Sequence, residues 1–370
     1  MAPTLPPYFV PQEGFSPELF CRHRIKLKCR KVMFSPTTRQ ETLMFFSSRT
    51  TCTWFSLVFV LSMASIAKAQ TINWPNKPIK ILVGSQAGTG TDAITRLVAA
   101  KLSEILGQTI FIENKLGAGG QMAADQVSKG TPDGYTLISI SSAHASQAAT
   151  LKTVPFDPVD GLTWISTVAV YPLVIAVAND SPITSLQDMV RKAKSAPGTM
   201  SYASSGIGSA LHLVGEWLAT EADIQLTHIP FPAGGGFGYT DVMAGRVNMM
   251  INIPSLIVPN VRANKMRALA VTSAERYAPL PNVPTLNEVI PGLEVESWLG
   301  FAAPAGTPMD IVRKINAAMK TALDNKELQA QMQKAGVQPQ WASPEAFRAI
   351  VEKGIVRYRS IARSKNIELQ

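Results

Sequence analysis

Apolar and polar residues along the chain follow two periods. Residues 79–84, IKILVG, are a short continuous apolar run, the mark of a strand buried on both faces. Residues 91–106 carry apolar side chains at 94, 97, 98, 102, 105 and 106, which is one helical face, and Gly107 stops that helix. Residues 109–114 are a second strand. A glycine-rich turn at 117–120 opens a helix to about 129, and a Pro-Asp-Gly turn at 132–134 leads into a third strand, 135–141. Strand and helix in strict alternation predict right-handed parallel crossovers, hence an α/β sheet covered on both faces.

A second run begins at 173–178, LVIAVA. Helices are predicted at 185–195, 210–222 and 237–246, and strands at 199–204, 224–231, 247–252 and 266–273. The tail holds two long helices, about 308–323 and 343–365, with a third between them.

The front end is different in kind. Residues 54–66, WFSLVFVLSMASI, form an apolar run too short to span a bilayer, preceded by Arg49 and followed by Ala67-Lys68-Ala69. This predicts a signal peptide cut after Ala69; a membrane anchor, a buried helix or an organellar presequence are the alternatives. Met44 begins a well-formed signal, so 44–69 is read as the signal peptide and 1–43 as a leader from a misassigned start. Residues 1–69 hold nine Lys/Arg against three Glu, a net of +6 out of the chain's +9, and all three cysteines. The chain beyond residue 69 is therefore near +3 and free of thiols. The high pI then says little about nucleic acid, and no basic patch with interleaved aromatics supports it. The 301 residues from 70 to 370 are enough for two ordinary domains.

Four loops could take a ligand. Gly84 to Asp92 joins strand to helix and contains Ser85, Ala87, Gly88, Thr89 and Gly90; open N–H groups at a helix start suit a carboxylate. Ser204, Ser205, Gly208 and Ser209 form a second such loop, and Gly234 lies in a third. Ser142 and His144 follow a strand C-terminus, where open α/β sheets place ligands. Each loop alone could be an ordinary turn with Thr91 or Asp92 as a cap; their recurrence in both halves suggests a cleft lined by hydroxyls and amides. Catalytic readings are poorer. His144, His212 and His228 form no metal-ligand spacing, there is no G-x-S-x-G elbow, and Ser205 with His212 lacks an orienting acid. Tyr202, Trp217 and Trp298 could line a pocket or pack in the core.

From residue 74 to about 337 the chain resembles the Bug receptors, the substrate-binding proteins of tripartite tricarboxylate transporters. WPNKPIKILV at 74–83, AGTGTD at 87–92, ENKLGAGG at 113–120 and PDGYTL at 132–137 carry the first half of the resemblance. SYASSGIGSALHL at 201–213, AGRVNMM at 244–250 and RALAVTSAERYAPLPNVPTLNE at 267–288 carry the second, followed by a W-x-G-x-x-A-P-A-G-T-P pattern at 298–308.

The resemblance implies a type II periplasmic-binding-protein fold: two α/β lobes, joined by two crossover strands, with a ligand cleft between them. One lobe would comprise 70–172 plus 293–370, so that the tail returns to it, and the other 173–292. It implies a monomeric periplasmic receptor without enzymatic activity or cofactor, which takes a small carboxylate or related amide to inner-membrane transporter subunits. A membrane sensor as partner and a secreted Ser/His hydrolase are the alternatives. The ligand carboxylate would sit on the 87–92 loop, with 204–209 opposing it and Asn252 helping to choose the solute. Three departures bear on the solute: Thr89 replaces a usual glycine, 231–234 reads Phe-Pro-Ala-Gly, and Asn252 stands where an acidic residue is common.

Overall fold

A computed structural model describes residues 73–231 and 237–367. The chain opens with β1 (Ile79–Val83), α1 (Gly90–Leu106), β2 (Ile110–Asn114), a 3-10 turn at Ala118–Gly120, α2 (Gln121–Ser128), β3 (Thr136–Ser141), α3 (Ala143–Thr150) and β4 (Leu162–Pro172). It crosses into β5 (Val174–Ala178), α4 (Leu186–Ser195), β6 (Met200–Ser204), α5 (Ala210–Glu221), β7 (Leu226–Pro230), α6 (Phe237–Met243), β8 (Met249–Asn252), α7 (Pro254–Arg262), β9 (Met266–Val271) and α8 (Leu286–Val289). It then returns through β10 (Glu296–Pro304), α9 (Met309–Leu323), α10 (Lys326–Lys334), β11 (Gln338–Pro339) and α11 (Pro344–Ser364).

Two sheets result, one per lobe. The first has the order β11-β4-β10-β3-β1-β2 and the second β7-β6-β8-β5-β9. β1 lies parallel between β2 and β3, with Ile79 opposite Ile110 and Lys80 opposite Thr136. Parallel pairing needs helical crossovers, and α1 and α2 supply them. The second sheet repeats this with β6 parallel to β7 and β8. The all-parallel expectation holds only for these triplets. β10 runs antiparallel to β3 and β4, and β5 antiparallel to β8 and β9, so both sheets are mixed. The antiparallel members are those in the segments that pass between lobes.

Each sheet is buried on both faces. On one face of the first, Ile81, Val98, Leu102, Phe301, Val312, Ile315 and Met319 pack beneath α1 and α9. On the other, Leu82, Val127, Ile138, Trp164, Trp298, Phe347 and Val351 pack beneath α2, α3 and α11. The second lobe has matching clusters around Tyr202, Val214, Leu218 and Met249, and around Val174, Met250 and Ile257. Helix stops follow the sequence: Gly107 takes φ 65° at the end of α1, a left-handed conformation that glycine adopts without strain.

The two crossings are tied to each other by one side chain. Thr272 is fully buried; its Oγ1 accepts from Leu173 N–H at 2.8 Å and donates to Val295 C=O at 2.5 Å. Its backbone N–H donates to Leu173 C=O at 3.0 Å and its C=O accepts from Val295 N–H at 2.8 Å. Thr272→Val keeps the shape but strands a buried N–H and a buried C=O, costing roughly 1–3 kcal/mol per unsatisfied group. Thr272→Ser should restore most of that loss in urea unfolding. Equal losses for valine and serine would mean that the methyl packing matters and the hydroxyl does not.

Candidate functional site

Two of the predicted loops, 84–92 and 204–209, lie where the two lobes touch. The loop leaving β1 meets the one leaving β8, and the loop leaving β6 meets the end of α3. A Cβ added to Gly90 at the start of α1 would lie 3.1 Å from Ser255 Oγ and 3.3 Å from Ile253 Cδ1, both second-lobe atoms. A Cβ on Gly208 would lie 2.7 Å from Thr150 Oγ1 of the first lobe, and Thr150 Oγ1 donates to Gly208 C=O at 3.3 Å. Small residues at 90 and 208 are thus what allow the lobes this close. Beside Gly90 the seam encloses a space of about 20 Å³, lined by Thr91, Tyr171, Ser255, Leu299 and Val337. It has room for roughly one water. A larger depression, about 560 Å³, is lined by Lys194, Thr220 and Gln225 of the second lobe and by Lys365 at the end of α11, and includes none of the three candidate loops among the described residues.

The first-lobe loop is held by a buried carboxylate. Asp92 Oδ2 accepts from Gly88 N–H at 2.9 Å and from Arg96 Nε at 2.9 Å, while Oδ1 accepts from Asn114 Nδ2 at 2.9 Å. Asn114 Nδ2 also donates to Ser85 C=O at 2.9 Å. Burial opposes the charge on Asp92, but the bonds from Arg96, Gly88 and Asn114 outweigh it and hold its pKa below the usual carboxylate value. Asp92 therefore shapes the loop and has its acceptor oxygens occupied. Thr89 stands at the N-cap of α1 with its hydroxyl turned to Ser85 Oγ and Gln86 C=O, so no side chain caps the first-turn amides. Those amides and the helix dipole form an anion-attracting end. Ala87 and Gly88 are exposed on the same loop.

The second-lobe loop is built on histidines. Ser209 caps α5 by accepting from His212 N–H, and Gly208 N–H donates to His212 Nδ1 at 3.1 Å. Ser204 Oγ lies 2.6 Å from His228 Nε2 and accepts from Gly206 N–H at 3.1 Å. Ser205 is half-buried beside it. The Ser–His contact is thus Ser204 with His228, not the Ser205–His212 pair weighed from sequence. Tyr202 lies opposite His228 in the β6–β7 register, which places Ser204 two residues further on. Asn252 closes β8, almost buried, with Oδ1 accepting its neighbour Ile253 N–H at 2.8 Å.

One predicted residue stands apart from this cluster. His144 enters α3 with its ring turned inward, stacked on Phe156 at 5.8 Å, near Trp164, and bonded through Nε2 to Pro158 C=O at 2.7 Å. It packs the first-lobe core while its neighbour Ser142 stays at the strand end. Gly234 lies outside the described residues. The sequence reading missed Thr150, Tyr171, Ile253 and Ser255. The Pro254 that starts α7 immediately after Asn252-Ile253 was the available signal for the last two.

Burial, with a smaller push from His212, lowers the pKa of His228 to about 4. An unfolded histidine titrates near 6.5, so the unfolded chain binds this proton first on acidification. The contribution of His228 to stability should then fall as pH drops from about 6.5 towards about 4. Melting curves of the protein and of His228→Gln across this window check it: the variant should show a shallower slope, keeping the part that His144 and His212, also held towards the neutral form, contribute. An unchanged slope would place the titration elsewhere.

The comparisons agree with this architecture. The family described as tripartite tricarboxylate transporter family receptor matches residues 94–367. The chain belongs to this family. Among solved structures, the periplasmic binding protein BugD is similar at 29% identity and TM-score 0.72, covering 80% of this chain and 100% of that one. An R. palustris protein solved with adipate is 32% identical at TM-score 0.74, covering 80% and 99%. MatC from Rhodopseudomonas palustris, solved with bound malate, is 30% identical at TM-score 0.70, covering 78% and 99%. The family is one of substrate-binding receptors for tripartite transporters, not of enzymes, and its fold is that of periplasmic binding proteins. Among the described residues no helix is long and apolar enough to cross a membrane.

Proposed function

We propose that this receptor captures a small carboxylate in the inter-lobe cleft and hands it to the membrane subunits of its transporter. The observation that carries this is that two helix N-termini, α1 in one lobe and α5 in the other, each preceded by a loop of Gly, Ser and Thr, both lie on the seam between the lobes, Gly90 against Ser255 and Gly208 against Thr150. In the first loop Arg96 is already committed to Asp92, so attraction for an anion there comes from backbone amides. Ser85, Ala87, Gly88, Thr89, Gly90 and Ser142 of the first lobe would take one side of the ligand; Ser205, Gly208, Ser209 and Asn252 of the second would take the other. Ser204 and Asp92 would serve by shaping their loops. The adipate and malate seen in related receptors support a carboxylate and suggest where to begin.

A melting screen against dicarboxylates, tricarboxylates, aromatic acids and their amides tests the reading. A ligand at about 100 times its Kd adds roughly 2.7 kcal/mol of stability, which raises Tm by several degrees. A flat screen, with native mass spectrometry showing no ligand carried through purification, would overturn it. The 54–66 apolar run and the Ala67-Lys68-Ala69 site support export with cleavage after Ala69. N-terminal sequencing of the exported protein should begin at Gln70; any other start would refute this cleavage site.

A further inference from the structure

Gly208 is held from both lobes, through the two peptides that flank its Cα. Its C=O shares the Thr150 hydroxyl proton of the first lobe, at 3.3 Å, with Ser146 C=O at 3.0 Å, and its N–H donates to His212 Nδ1. A neutral imidazole has one acceptor nitrogen, so this bond puts the proton of His212 on Nε2, which faces Glu216 Oε1 at 3.9 Å. The ring of His228 stacks on that of His212 with centroids 4.0 Å apart. Tyr202 reaches the same cluster from β6, its hydroxyl donating to Glu216 Oε1 at 2.8 Å with the His212 C=O at 3.2 Å. Ser204, also on β6, meets His228 at the far side. The titratable groups facing His212 are therefore Glu216 on its own helix, His228 on β7 and Tyr202 on β6.

We propose that neutral His212 is the positioning residue of the second-lobe loop, and that protonating it unlatches Gly208 and weakens the receptor's hold on its ligand in acid. A proton added to the imidazole goes to Nδ1, where it points at the Gly208 N–H. The acceptor is gone and two donors face each other, so the Ile207–Gly208 peptide must turn; the strain reaches the Thr150 contact through the Gly208 Cα, because that carbonyl belongs to the next peptide. An added positive charge would by itself favour an anionic ligand, but Glu216 faces the imidazolium at Nε2 and offsets it. Stacking makes the switch a shared one: a charge on His212 opposes a second on His228. Burial holds both rings towards the neutral form. The link to ligand release rests on the carboxylate reading above; the latch itself does not.

Asparagine is the matched substitution, because its Oδ1 can stand where Nδ1 stands and does not titrate. In the ligand-free protein, NMR titration from pH 7.5 to 4.5 should show the Gly208 amide shifting with the midpoint of the His212 ring protons. In His212→Asn the Gly208 amide should stay put. A Gly208 amide indifferent to the His212 step, or the same step in His212→Asn, would overturn the proposal. Calorimetry with adipate and with malate at pH 7.5 and at a pH below the His212 midpoint found in that titration reads the consequence. Loss of one hydrogen bond predicts roughly three- to tenfold weaker binding in acid for the native protein, and a smaller drop for His212→Asn. Equal drops, or tighter binding in acid, count against the latch. If neither acid binds at pH 7.5, the carboxylate reading fails for those solutes, while the amide titration still decides the latch.

Discussion

Phe347→Ala is expected to lower the stability of the protein by about 3–5 kcal/mol, the largest single-substitution loss predicted for this chain. Phe347 is fully buried in the first turn of α11. It stands edge-on to Trp164, with centroids at 5.2 Å and planes at 81°, and to Trp298, at 5.1 Å and 84°. Such edge contacts add to the burial of the ring itself. The ring fits a notch in β10: a Cβ on Gly300 would fall 2.4 Å from Phe347 Cζ and 2.7 Å from Ser166 C=O. The substitution leaves a cavity between the last helix and the strand that carries the chain back from the second lobe. Urea unfolding measures the loss. Phe347→Leu should recover part of it, whereas a loss below about 1 kcal/mol for alanine would mean that α11 collapses into the space.

Asp92→Ala should cost about 1–3 kcal/mol and weaken ligand binding at least tenfold. The estimate comes from Asn114 Nδ2, which loses a partially buried acceptor; Gly88 is exposed and its N–H can turn to water. Arg96 is about half exposed, 48%, and can turn to water, so Arg96→Gln should cost far less. The depressed pKa of Asp92 means its contribution is present above the unfolded carboxylate pKa and is lost as pH falls through the folded one. Binding suffers because the loop of 85–90 loses the anchor that aims its amides. Calorimetry with the solute found by the melting screen, beside urea unfolding, separates the two effects. An alanine variant that is destabilised yet binds as before would show that the ligand does not depend on the ordered loop.

Much of the fold was legible because its signals are local. The apolar run of β1, the period of α1, Gly107 and the Pro-Asp-Gly turn each act within a few residues, and the parallel triplets β1–β3 and β6–β8 follow from alternation. The position of the candidate loops was legible for the same reason: a strand end, a glycine and a helix start lie together in the chain. What escaped were β4, β10 and their antiparallel pairing, which joins Glu296 to Pro172 across more than a hundred residues. No period in either segment specifies its partner.

The same distinction runs through the site. The sequence by itself determined the two lobes' strand–helix units and the helix starts near Gly90 and Ala210, since backbone geometry and small side chains suffice for those. Only the tertiary structure decided what each polar side chain does. It turned His144 into the core, spent the Asp92 carboxylate on Gly88, Arg96 and Asn114, and brought His228 to Ser204 through the β6–β7 register. A hydrogen-bonding side chain takes whichever partner the packed neighbours leave within about 3 Å, and that choice is made by elements distant in the chain.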